Sequence, residues 1–324
     1  MATSFLLVAL GVALLVAGGE LMLRGAVRLA SLLQLTPAVI GLTVVAAGTS
    51  VPELAVSASA ALRGQADIAV ANVVGSNIFN ATVIIGLCAM IRPLSIVGNT
   101  IRFEYPVLAL VTLLCVVVMD DGSITRLDAA LLVAIYVCFT AYLVSLVRAR
   151  VSPLEAAEFG EEVRELAPDA GNARLLPAIG LSVAGIALLA SGAQATVTGA
   201  VELARLLGWS ERVIGLTIVS IGTGLPEVFA SVISGLRGRS DIAFGNVIGS
   251  NLFNILMILG LSAAVAPLPV APQLFASDAW WMLGVTLLLF PLMLTGLRVS
   301  RGEGVLLLGV YGAYLALLLA AGGV

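Results

Sequence analysis

Apolar runs of about 20 residues, the length a helix needs to cross a bilayer core, recur from one end of the chain to the other. Ten such segments stand out, near residues 4–24, 35–60, 67–90, 103–119, 128–147, 175–200, 210–234, 241–265, 279–297 and 304–321. The polar positions between them are short turns, with one exception. Residues 148–174 form a long connection holding Pro153, Pro168 and the acidic run EFGEEVREL. A solvated linker is expected there rather than a helix lying on the membrane surface. The pattern predicts an all-α membrane protein of ten spans, divided into residues 1–147, a linker at 148–174, and residues 175–324.

The two parts are copies of one another. GLTVVAAGTSVPELAVSASAALRGQADIAVANVVGSNIFN, from Gly41, aligns with GLTIVSIGTGLPEVFASVISGLRGRSDIAFGNVIGSNLFN, from Gly215, at an offset of 174 residues that holds without a gap to Pro93 and Pro267. About half of the aligned positions are identical, more than a shared apolar bias supplies. Five spans per copy is an odd number, so the second copy must enter the membrane the other way up, and inverted five-helix repeats are expected. Arginine placement agrees. With the N-terminus outside, twelve of the 16 arginines fall in inner loops, leaving Arg63, Arg126, Arg205 and Arg212 outside. Both termini are then expected outside the cell membrane and the linker in the cytoplasm.

Composition sharpens the class. Hydrophobic residues make up 60% of the chain and charged ones 11%, with mean hydropathy +1.13; a soluble domain carries roughly 25% charge. No basic tract suggests nucleic acid. The first segment lacks the basic flank of a cleavable signal and is expected to stay. Cys88, Cys115 and Cys138 are isolated in apolar stretches and are expected to be buried and inert.

Most acids lie in loops or at segment ends, but Glu53 and Glu227 lie well inside apolar segments, at matching repeat positions. An ionised side chain there costs about 3 kcal/mol on insertion scales. One protonated Glu can serve helix packing alone; two, each beside a helix breaker, point to a cation site. Pro52 and Pro226 cannot donate to the carbonyls of Gly48 and Gly222, so the helices should open there. Gly48-Thr49-Ser50 and Gly222-Thr223-Gly224 would then offer carbonyls and hydroxyls beside the carboxylates. Further along each repeat, Asn72, Ser76 and Asn80, and Asn246, Ser250 and Asn254, share one helix face at i, i+4, i+8 spacing. The deeper members, Ser76, Asn80, Ser250 and Asn254, are the candidate site residues. Asn72, Asn77, Asn246 and Asn251 fit interhelical hydrogen bonding. These are hard oxygen donors suited to Ca2+. The chain has no His, and its motifs no Cys, so softer metals such as Zn2+ or Cu+ are not the expected substrates. Two ionised carboxylates balance one Ca2+ or two Na+, and competition between those loads would give exchange. Asp67 and Asp241 are expected to cap helix starts, and Glu20 to be an interfacial or packing residue.

With GTSVPE, GSNIFN, GTGLPE and GSNLFN in place, the sequence resembles the sodium/calcium exchanger family across nearly its whole length. The resemblance implies an antiporter, not an enzyme, that exchanges Ca2+ for Na+ by alternating access and has no cofactor. It implies Glu53 and Glu227 as bridging carboxylates, and Thr49, Ser50, Thr223, Ser76 and Ser250 as hydroxyl ligands. The Ala46 and Ser220 carbonyls would lie nearby, with Asn80 and Asn254 completing the centre. Gly224 stands where the family usually has Ser, and Asn254 where some members have Asp. A Ca2+/H+ exchanger on the same scaffold is the alternative. An intramembrane enzyme would need an Asp pair, a Ser site or a metal site that the motifs lack, and a passive channel fits inverted repeats poorly. The segments containing Gly18, Gly19 and Gly25, and Gly192 and Gly199, are candidates for a sliding gate.

Overall fold

In the computed structural model, residues 2–33, 35–96, 100–150, 174–207 and 220–321 are described. Residues 151–173 of the expected linker lie outside them, as do residues 210–219 of the seventh expected segment. Eight helices are long and apolar enough to cross a membrane: α1 (Thr3–Leu33), α4 (Ala66–Ile91), α5 (Thr100–Met119), α6 (Arg126–Ser145), α7 (Leu175–Leu206), α10 (Ser240–Val265), α11 (Leu274–Leu294) and α12 (Arg301–Leu318). A ninth span is broken into α2 (Ala38–Thr49) and α3 (Val51–Leu62), which meet at 47°. The matching region of the second copy contains α8 (Ser220–Thr223) and α9 (Leu225–Leu236). The molecule is a multi-pass membrane protein.

Both breaks fall where the prolines demand them. Pro52 and Pro226 each occupy the first turn of the helix after the break, where a missing N–H costs nothing. The helices then turn back through Gly64 and Gly238, equivalent positions with φ of 70° and 79° that residues with a side chain rarely adopt. Four two-residue strands tie the copies together: β1 (Leu94–Ser95) pairs antiparallel with β4 (Arg298–Val299), and β2 (Ser123–Ile124) with β3 (Leu268–Pro269). Each ladder takes one strand from each copy.

Helices α1 and α7, which occupy equivalent places in the two copies, lie side by side. Gly11 meets Gly192 and Thr196, Gly18 meets Gly185 and Leu189, and Gly25 meets Ser182. Numbers rise along one helix as they fall along the other, so the pair is antiparallel. The glycines sit seven apart on both helices. A methyl at position 18 would lie 2.7 Å from the backbone nitrogen of Leu189, so only Gly permits this approach. Helices α4 and α10 are the most enclosed spans and form the centre of the core. Cys88 and Cys115 are buried as expected, but Cys138 is exposed on α6, because its position faces away from the other helices.

Candidate functional site

Glu53 and Glu227 stand at the first turns of α3 and α9, each 2% exposed. The breaks that precede them face one another across the two copies. Ser50, the turn residue between α2 and α3, donates its hydroxyl to Glu227 Oε1 at 3.0 Å. The two carboxylates interact electrostatically within this enclosed space. Two acids from distant parts of the chain therefore share one buried centre.

Neutral oxygens surround them. Thr49 closes α2, and its hydroxyl reaches the carbonyls of Val45 (3.1 Å) and Ala46 (3.3 Å) and Asn246 Oδ1 on α10 (3.4 Å). Ser250, buried on the same face of α10 as Asn246 and Asn254, has a hydroxyl without a hydrogen-bond partner among the described residues. The same holds for Glu53 Oε2, Glu227 Oε2 and Asn254 Oδ1. A buried polar atom without a partner costs roughly 1–3 kcal/mol, and four oxygens in that condition on the two motifs form a donor set suited to a hard cation. Among the described residues no group of three His, Cys, Asp or Glu side chains could hold a metal; the candidate donors are two carboxylates with neutral oxygens.

A family model described as sodium/calcium exchanger protein matches residues 3–145 and 177–320. The chain belongs to the sodium/calcium exchanger family. It is 40% identical to CaxA of Alkalimonas amylolytica over 320 residues, 98% of each chain. It is 33% identical to the sodium/calcium exchanger MaX1 of Methanosarcina acetivorans over 347 aligned positions, covering 97% of this chain and 98% of that one. Among solved structures it resembles the sodium-calcium exchanger NCX_Mj, with TM-score 0.82 and 27% identity over 98% of this chain and 99% of that one. Members of this family are cation/Ca2+ antiporters, carriers rather than enzymes.

In this exchanger Thr49, Ser50, Glu53, Asn80, Glu227, Ser250 and Asn254 are all buried, while Ser76 and Thr223 are half-buried. Ala46 is buried, but its carbonyl already accepts the Ser50 amide at 3.1 Å as well as the Thr49 hydroxyl. Ser220 opens the short helix α8. Asn80 and Asn254 each begin a π-helical turn, Asn80–Ile84 and Asn254–Leu259. Such a turn inserts a residue into the helix and re-aims the side chains on either side of it.

The amides expected to join helices do so. Asn72 Nδ2 donates to Ser57 Oγ at 2.9 Å, and Asn246 Nδ2 to Ser231 Oγ at 2.9 Å. Ser57 and Ser231 lie one turn beyond the two Glu residues and clamp each acidic helix to its neighbour. They escaped the sequence reading, although their identity at the 174-residue offset was the available signal. Asp67 and Asp241 lie within the first turns of α4 and α10 rather than capping them; Asp241 pairs instead with Arg239 at 2.7 Å. Glu20 is an ion-pair residue, bridging Arg24 (3.1 Å) and Arg237 (3.0 Å).

Gly224 has a structural reason. A Cβ there would lie 3.0 Å from Cε1 of Phe79, so the ring occupies the side of the site where a serine would project.

Proposed function

We propose that this protein is an antiporter of the cell membrane that exchanges Ca2+ for Na+ by alternating access. Its architecture is ten spans in two inverted five-helix repeats (1–147 and 175–324), with a cytoplasmic linker at 148–174 and both termini outside. The antiparallel run of the equivalent helices α1 and α7, and the two ladders that exchange partners between copies, support the inversion.

The observation that carries the reading is the meeting of Glu53 and Glu227 in one buried centre through the Ser50 bridge, amid oxygens without partners. Ca2+ is satisfied by six to eight oxygens in a flexible arrangement. Glu53, Glu227, Thr49, Ser50, Thr223, Ser76, Asn80, Ser250 and Asn254, with the carbonyls of Ala46 and Ser220, supply them. One Ca2+ or two Na+ neutralises the pair of carboxylates, and neither load leaves a net buried charge. Occupancy by one cation therefore excludes the other, which is the condition for exchange. Helices α1 and α7, joined through their glycine rows, slide as a unit over the core to expose the centre to one side and then the other. A crosslink between α7 and α3 or α9 that left exchange intact would count against that motion.

Purified protein in liposomes tests the coupling ion. Ca2+ uptake driven by an outward Na+ gradient at equal pH on both sides is the expected result. Uptake driven only by a pH gradient would make protons the counter-ion. Flux without trans-stimulation by unlabelled Ca2+ would make the protein a channel and overturn the reading.

A further inference from the structure

Where α4 and α10 cross, two amides clasp each other's backbone. Asn77 Nδ2 donates to the carbonyl of Asn251 at 3.2 Å, and Asn251 Nδ2 donates to that of Asn77 at 3.3 Å. Both side chains are 1% exposed. A backbone carbonyl only accepts, so each contact turns the amide nitrogen toward the partner helix and the amide oxygen away from it. The carbonyls of Asn77 and Asn251 also accept a backbone N–H, from Asn80 and Asn254 respectively, so a flipped amide would not strand them but would set oxygen against oxygen, acceptor facing acceptor. The oxygen of Asn77 is thereby committed as an acceptor, and it takes a hydrogen bond from Asn254 Nδ2 at 3.0 Å.

This bond settles how Asn254 stands. Its nitrogen faces Asn77, so its oxygen faces away, and Asn254 Oδ1 is buried with no partner among the described residues. An amide held the other way round would present N–H groups to a cation and repel it. The equivalent bond in the other copy would run from Asn80 to Asn251 Oδ1. That oxygen is without a partner among the described residues, so the clasp orients only the second copy's Asn.

We propose that Asn77 is a positioning residue for ion binding: held by its bond to the Asn251 backbone carbonyl, it locks the Asn254 amide with its oxygen toward the transported cation. The inference rests on the reading of Asn254 as a ligand. Asn77 touches no ion itself. Groups that orient a metal ligand typically contribute about 10–100-fold to affinity.

The test is equilibrium binding of radioactive Ca2+ to the purified full chain, arranged as a double-mutant cycle. Asn77→Ala is expected to weaken binding by about 10-fold and to have no further effect in an Asn254→Ala background, where there is no amide left to orient. Asn251→Ala is the control. It removes an equivalent bond between α4 and α10 but leaves both bonds of the Asn77 side chain, so its Ca2+ affinity should stay near wild type. If Asn77→Ala does not give monodisperse protein, the near-isosteric Asn77→Leu runs the same cycle. Multiplying effects of Asn77→Ala and Asn254→Ala, equal losses for Asn77→Ala and Asn251→Ala, or an unchanged affinity in Asn77→Ala would each overturn the proposal. Glu53→Gln, measured alongside, keeps the two readings apart. Binding that survives it overturns the site itself, whereas its loss together with a flat Asn77→Ala result overturns only the clasp.

Discussion

Replacing Glu227 by Gln changes charge and almost nothing else. The amide oxygen can still accept the Ser50 hydroxyl that lies 3.0 Å from the carboxylate, so local geometry has no reason to collapse. The centre, however, drops from two negative charges to one. For Ca2+ at about 2.4 Å from a carboxylate oxygen, with an effective dielectric near 20, the attraction removed is about 14 kcal/mol before solvation. Part of that is offset, because the buried carboxylate no longer has to be dehydrated, a penalty of several kcal/mol. A net loss of at least about 4 kcal/mol remains, or roughly 1,000-fold in Ca2+ affinity at 1.4 kcal/mol per decade.

The assay has two arms. In liposomes, Na+-driven Ca2+ uptake by Glu227→Gln, and by Glu53→Gln, should fall to background. In detergent, Ca2+ at 100 times its Kd stabilises the wild-type protein by about 2.7 kcal/mol, and the melting curve of either variant should ignore it. In ion-free buffer the variants should melt at or above the wild-type temperature, because two buried acids no longer face one another. A folded Gln variant that keeps a tenth of the exchange rate, or still gains stability from Ca2+, would refute the claim that the two carboxylates hold the ion together.

Other substitutions probe the scaffold. Gly185→Val should lower the melting temperature by the equivalent of about 1–3 kcal/mol, since a side chain there runs into the backbone of Met22, whereas Gly180→Ala, facing open space on the same helix, should be neutral or slightly stabilising. Ser231→Ala strands the buried Asn246 amide nitrogen and should cost about 1–3 kcal/mol in chemical denaturation, whereas Ser57→Ala leaves Asn72 its bond to the Glu53 carbonyl at 3.3 Å and should cost less. Gly224→Ser should impair exchange by pressing on Phe79, and Phe79→Leu in the same chain should restore it. Glu20→Gln breaks a half-exposed pair with Arg237 and should change stability by less than about 1 kcal/mol.

Much of this architecture was legible because bilayers impose length on apolar runs and prolines impose breaks. Pro52 and Pro226 mark both helix openings, and the 174-residue repeat pairs Glu53 with Glu227 in the sequence itself. What escaped depends on which face of a helix meets which neighbour. Helical spacing put Asn77 off the face shared by Asn72, Ser76 and Asn80, which is correct, but it could not say that Asn77 would find Asn251 there. The π turns beginning at Asn80 and Asn254 carry no compositional mark. Cys138 reads like the other cysteines until its side of α6 is known.

The repeat also has a limit that follows from chemistry. Duplicated sequence gives duplicated backbone, yet the two copies meet at a single centre and their side chains cannot all make the same bonds. Ser50 reaches Glu227, while its counterpart Gly224 has no hydroxyl to offer Glu53 and instead accommodates Phe79. Asn254 is oriented by Asn77, while Asn251 leaves its own amide oxygen unused. Glu20 holds Arg237, whereas the equivalent pair, Gln194 and Arg63, has one charge instead of two. Under the proposed inversion and alternating access, two identical copies would make the inward-open and outward-open states equal in energy, and these differences remove that equality. The direction of that bias is readable by measuring Ca2+ affinity separately on the two membrane faces: a symmetric centre requires equal values, and the differing bonds predict unequal ones.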